Sequence, residues 1–167
     1  MTTHTPLNKI RRAERAKDDA WITAFLHRAP FGSLATVREG QPFIVMRNFA
    51  YDEEAHAIYL HGATQGRTHD NVRHNGRVCF SVGEMGAVHP AKRAANFGVA
   101  YAGVVIFGHA IIVNNRDEVK HGLQLILDKH FPHLQPGTDY EPVTDADLHR
   151  TAVYRIDIEQ WSGKARI

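Results

Sequence analysis

His61-Gly62-Ala63-Thr64-Gln65-Gly66-Arg67-Thr68 gathers four polar side chains, His61, Thr64, Gln65 and Arg67, around three residues small enough to admit a ligand to the backbone. The apolar run Ile58-Tyr59-Leu60 leads into this segment, and a helix is predicted to follow over Arg67–Asn75, closed by Gly76. A helix N-terminus offers backbone N–H groups with no partner inside the helix, and a guanidinium beside them adds charge-assisted hydrogen bonds. That combination suits a phosphate. A Gly-containing strand-to-helix turn with a surface arginine would read the same way, so the motif needs support from its surroundings.

The elements around the turn supply it. Phe31–Val37 and Pro42–Tyr51 are predicted strands joined by Arg38-Glu39-Gly40-Gln41, and Arg77–Val82 is a strand beyond the helix. Asp18 or Asp19 can cap a helix running to about Arg28, with Trp21, Ile22, Phe25 and Leu26 on one face. Ala29-Pro30 stops it, because the residue before proline is pushed out of helical geometry. Residues 81–98 read as irregular. Val99–Val113 is a long β-branched strand, and Gly103 and Gly108 mark bulges or close contacts in it. Asn115 or Asp117 begins a helix through about His130, and Ala152–Ile158 is the last strand. Six strands with helices at their connections predict a mainly β domain, an antiparallel barrel with flanking helices, over residues 18–167. Residues 1–17 are polar and predict a flexible arm.

Other chemistries find little footing. Twelve histidines invite a metal, but His69 and His74 stand five apart on a predicted helix, and no HExxH or cysteine-rich spacing is present. Ser33 and Ser81 lie on strands rather than on a nucleophile elbow. The lone Cys79 has no adjacent base and reads as a small buried residue. No GxGxxG follows a strand, so redox chemistry here would use a flavin rather than a dinucleotide on a Rossmann fold. A net charge of +2 implies no strong field. The basic run Lys9–Lys17 reads as a solvated arm, so neither nucleic acid nor membrane is an expected partner. No apolar run reaches the ~20 residues that span a bilayer. The N-terminus lacks the apolar segment of a secretory signal, making the cytoplasm the expected location.

Gly32-Ser33-Leu34-Ala35-Thr36-Val37, His61-Gly62-Ala63 with Gly66-Arg67, the run Tyr101–Ala110 and the ending Trp161-Ser162-Gly163-Lys164 stand in an order that resembles the FMN-binding split-barrel superfamily. Pyridoxamine 5′-phosphate oxidase is its best-known member, and the branch most similar here holds the nitroimidazole-resistance reductases. The resemblance implies a six-stranded antiparallel split β-barrel that binds FMN, with Val45, Met46, Arg47 and Asn48 running along the flavin ring. It places the phosphate on His61, Gly62, Ala63, Thr64, Gly66 and Arg67. Thr68 stands where relatives often carry a second basic residue; its hydroxyl keeps one hydrogen bond but not the charge. The resemblance also implies a homodimer with a shared flavin site, to which the partner contributes residues 91–101, Trp161 and Lys164. His61 is the catalytic candidate, since imidazole titrates near neutrality. The implied activity is that of a flavin-dependent reductase or oxidase acting on a small organic molecule, with a nicotinamide as reductant. A deazaflavin enzyme, or a flavin- or haem-binding module without turnover, remain alternatives.

Overall fold

Asp18 opens the first helix as expected: its Oδ1 accepts from the Trp21 backbone N–H at 2.9 Å. Helix α1 spans Asp19–Arg28 and turns Ile22, Phe25 and Leu26 inward. The computed structural model describes residues 6–166, so residues 1–5 of the expected arm and Ile167 lie outside the described residues. Before α1, Ala16–Lys17 form a short strand, β1.

The strands that follow are β2 (Phe31–Arg38), β3 (Gln41–Asn48), β4 (Ala50–Asp52), β5 (Ala57–Ala63), β6 (Arg77–His89), β7 (Gly98–Ile112) and β8 (Thr151–Arg166). Three further helices are α2 (Arg67–His74), α3 (Arg116–His130) and α4 (Asp145–Leu148). All strand pairings within the sheet are antiparallel, in the order β3-β2-β6-β7-β8-β5-β4, and β1 joins β8 through Ala16↔Lys164 and Lys17↔Gly163. Among the described residues, no helix is long and apolar enough to cross a membrane.

The described residues therefore form eight strands rather than six. The expected strand over residues 42–51 breaks at the fully buried Phe49, which separates β3 from β4, and β1 is the other addition. Two strands also run further than predicted. β6 continues through Gly83 and Glu84 to His89, paired with β7 across a bulge between Met85 and Val88. β8 continues past Ile158 to Arg166, paired with β7.

Period-two alternation sends Leu34, Phe80, Val104, Ile106 and Ile156 into one core, which α1 closes with Ile22, Phe25 and Leu26. Helix α3 covers the other face of β5, burying Tyr59, Ala57 and Val119 in a second cluster with Val153. It approaches closely at Gly122, where a Cβ would lie 2.6 Å from the Tyr59 ring. Thus β5 is sandwiched: Leu60 faces the barrel, whereas Tyr59 faces α3.

Candidate functional site at the β5–α2 turn

Arg47 is where the site comes together. Its Nη2 donates to Thr68 Oγ1 at 3.3 Å, joining β3 to the first turn of α2. The guanidinium passes over Gly62 at the end of β5, where a Cβ would lie 3.6 Å from Nη2. Thr68 is buried, and it holds its position because Asn71, one helical turn on, is buried too and donates to Thr36 Oγ1 at 2.8 Å. A cation thus stands beside Thr68 after all, contributed by the neighbouring strand.

Arg67 is exposed at the mouth of the same turn, with its guanidinium carbon 5.8 Å from the Phe43 ring centroid. It borders a polar hollow that also holds Arg38, Glu39 and Asp70. Gly66 precedes it with φ +108°, a conformation that strains residues bearing a Cβ. No side chain caps α2, so the first N–H groups of the helix have no side-chain acceptor there.

His61 lies beneath α3. Its Nδ1 is buried without a hydrogen-bond partner, and so is Nε2 of His130 at the end of α3. Burial first, then the charge of Arg47 and the nearby His130, push the His61 pKa down. The ring is therefore neutral at pH 7, and its buried Nδ1 is left without a partner. Burial and Lys129 likewise lower His130, against the pull of the Phe49 carbonyl. Tyr154 completes the floor, donating from its hydroxyl to the Ala63 carbonyl at 3.2 Å.

Lys129 is the most perturbed amine. Its Nζ sits 3.4 Å from the Phe49 ring centroid and donates to the Leu26 carbonyl at 2.9 Å. Burial lowers its pKa to about 8. Below that value it is charged in both folded and unfolded chains and the burial cost is complete. As the pH rises from about 8 toward 10.5 the folded chain loses its proton first, so stability should rise with pH in that window. Carbon-13 NMR of reductively methylated lysines should show one resonance titrating near 8, absent in Lys129→Met; uniform titration above 10 would contradict this.

The expected residues fall into three groups. Arg47, Gly62, Thr68 and, just outside them, His61 and Arg67 are brought together. Along β3, Met46 and Asn48 face the opposite way: Met46 is exposed and its Sδ accepts from the Ser33 hydroxyl at 2.9 Å, while Val45 packs on the core. Thr64 borders a separate hollow with His69 and Asp145, and Ala63 contributes its carbonyl to Tyr154. Trp161 and Lys164 stand elsewhere in the chain. Trp161 donates to Asp19 at 2.8 Å and packs edge-on against His56, and Lys164 lies 5.6 Å from the Tyr101 ring centroid. Sequence reasoning missed Thr36, Asn71, His130 and Tyr154. Only Asn71 left a trace, sharing a helical face with Thr68 and Val72.

Many solved structures share this fold, among them the following three. A FAD- and haem-binding protein of Mycobacterium smegmatis superposes with a TM-score of 0.81 at 19% identity, over 90% of this chain and 73% of that one. A candidate 5-nitroimidazole antibiotic resistance protein of Bacteroides thetaiotaomicron gives 0.75 at 19% identity, over 89% and 84%. A FAD-binding protein of Mesorhizobium loti gives 0.65 at 25% identity, over 92% and 98%. No curated protein matches the chain in sequence. The sequence model of the pyridoxamine 5′-phosphate oxidase family matches residues 18–165.

Proposed function

The chain belongs to the pyridoxamine 5′-phosphate oxidase family, and on that premise we propose that it binds FMN at the β5–α2 turn and serves as a reductase for a small organic molecule. The observation that carries this reading is the Arg47–Thr68 contact over Gly62, with Arg67 at its mouth. Two guanidinium groups, the uncapped start of α2 and a strand end bare of Cβ atoms fit a phosphate. The unpartnered His61 Nδ1 beside Arg47 fits a further polar atom of the same ligand. Relatives whose names record FAD binding add support for a flavin.

Bound FMN would supply the electron transfer itself. The residues of the chain then have simple tasks. Arg47 and Arg67 hold the phosphate. Thr68 fixes the Arg47 guanidinium. His61 delivers a proton to the reduced substrate.

The reading includes a homodimer. Phe31, Ile44 and Met46 are 51%, 65% and 56% exposed on adjacent strands β2 and β3, an apolar face suited to a second copy. Such a dimer lets Trp161 and Lys164 reach the partner's flavin. Light scattering should give twice the chain mass for flavin-loaded protein; a flavin-loaded monomer would contradict the shared site.

A nitroaromatic acceptor tests the activity. With a nicotinamide reductant, the loaded protein should consume the acceptor, and loss of flavin should abolish that consumption. A second reading, a flavin- or haem-binding module without turnover, draws on the Mycobacterium smegmatis relative and on the free imidazole nitrogens of His61 and His130. A Soret band, or no consumption with any acceptor, would favour it.

A further inference from the structure

The hairpin formed by the far ends of β6 and β7 leans over α1 and leaves a cavity of about 280 Å³. It shares no residue with the β5–α2 turn. Trp21 of α1, which stacks on Phe25, and Tyr101 of β7 are its aromatic lining, and the small residues Gly86, Ala100 and Ala102 leave space between them. Its volume is at the small end of the range for ligand pockets, enough for one or two fused rings.

The electrostatics are one-sided. The one acid lining the cavity, Glu84, is already held by Arg28 through bonds of 2.8 and 2.6 Å. Lys17 and Arg166 line it too, and neither forms an ion pair among the described residues. Lys17 Nζ lies 5.9 Å from the Trp21 ring. The Arg166 guanidinium packs against Gly98, where a Cβ would stand only 2.6 Å from Nη2. Two more cations flank Tyr101: Arg15 donates to its hydroxyl at 3.2 Å, and Lys164 sits over its ring. Arg15's hydrogen bond and Lys164 together hold that phenol below its usual range.

We propose that this cavity is a binding site for a small aromatic carboxylate, with the ring between Trp21 and Tyr101 and the carboxylate on Arg166 and Lys17. A planar guanidinium suits a carboxylate, and two aromatic side chains suit a flat ring. The site lies outside the β5–α2 turn and goes beyond the flavin reading; Ala100, Tyr101 and Lys164 are the residues it shares with the segments that the homodimer reading brings to the partner's flavin. An adjoining apolar hollow, bordered by Val88, Phe97 and Val99 and sharing Tyr101 and Arg166, leaves space for a second ring.

Calorimetric titration tests the proposal with three probes: benzoate, its neutral counterpart benzyl alcohol, and acetate. Benzoate should bind at least tenfold more tightly than either of the others, and 2-naphthoate more tightly still. Loss of one charge-assisted hydrogen bond should make Arg166→Gln bind benzoate about tenfold or more weakly. Lys17→Gln should weaken it as well, which keeps the test open if the first variant misfolds. Arg67→Ala should leave benzoate affinity unchanged, so failure of the flavin reading and failure of this one are separable. Equal affinity for benzoate and benzyl alcohol, or full benzoate affinity in both cation variants, would overturn the proposal.

Discussion

Replacing His61 with alanine should leave FMN in place and, in acid where the ring is protonated, slow consumption of a nitroaromatic acceptor by roughly 10²–10⁴-fold, the usual range for loss of a general acid. The phosphate anchors assigned here are Arg47, Arg67 and Thr68, so the flavin has no need of the imidazole to stay bound. Burial, Arg47 and His130 all lower the His61 pKa, which fixes the sign of the pH dependence. The protonated ring is the donor. The ratio of wild-type to variant rates should therefore be largest in acid and shrink as pH rises through a value below the ordinary ~6.5 of histidine. His61→Gln keeps a polar side chain at this position but cannot supply the proton, and so should be as slow as His61→Ala. Full activity in a flavin-loaded His61→Ala protein would make the residue structural. Loss of flavin would make it an anchor instead.

Phe80→Ala should be the most damaging single change to the fold, costing about 3–5 kcal/mol. Phe80 is fully buried on β6, between Leu34 of β2 and Ile106 of β7 in the register of the sheet. Its ring meets Phe49 edge-on at 5.0 Å and 69°. The ring also fills the space above Gly32, which would be closed by any side chain there. Apart from Phe49, these neighbours belong to hydrogen-bonded strands that cannot collapse into the vacated volume. A domain of this size is commonly stable by about 5–15 kcal/mol, so the variant should be near the edge of folding. Urea denaturation at one fixed protein concentration measures it, since a dimer's stability depends on concentration. A loss under 1 kcal/mol would mean that the barrel repacks.

Local rules were enough where a residue's neighbours in sequence are its neighbours in space. The Asp18 cap, the Trp21–Leu26 face and the stop at Pro30 all follow from spacing, and α1 forms accordingly. The alternation in Phe31–Val37 likewise survives in β2, whose Leu34 and Thr36 face inward. Where the sheet extends past the core, that signal fades. Residues 83–89 of β6 are exposed on both faces, so their side chains do not alternate, and only pairing with β7 makes them a strand. Ser162 and Gly163 are weak strand formers, yet β1 and β7 hold Gly163 from either side.

The site divides in the same way. Arg67, Gly66 and His61 stood out as candidates because turn chemistry is local. The contact that unites them did not, because Arg47 and Thr68 are 21 residues apart and meet only when β3 is brought against the β5–α2 turn. Thr68 stands where relatives often carry a basic residue; in three dimensions its hydroxyl accepts from the Arg47 guanidinium of β3. His130 was hidden for a similar reason, since its approach to His61 depends on how α3 docks at Gly122.

The central claim is that this turn holds the phosphate of FMN, and paired titrations of flavin-free protein with FMN and riboflavin address it most directly. Wild-type protein should bind FMN well above riboflavin. Arg67→Ala, and separately Arg47→Met, should each cost FMN about ten- to hundredfold, the equivalent of one charge-assisted hydrogen bond of roughly 1.5–3 kcal/mol, and leave riboflavin nearly unchanged. Equal affinities for the two flavins in wild-type protein, or equal losses for both in the variants, would show that the phosphate is held elsewhere.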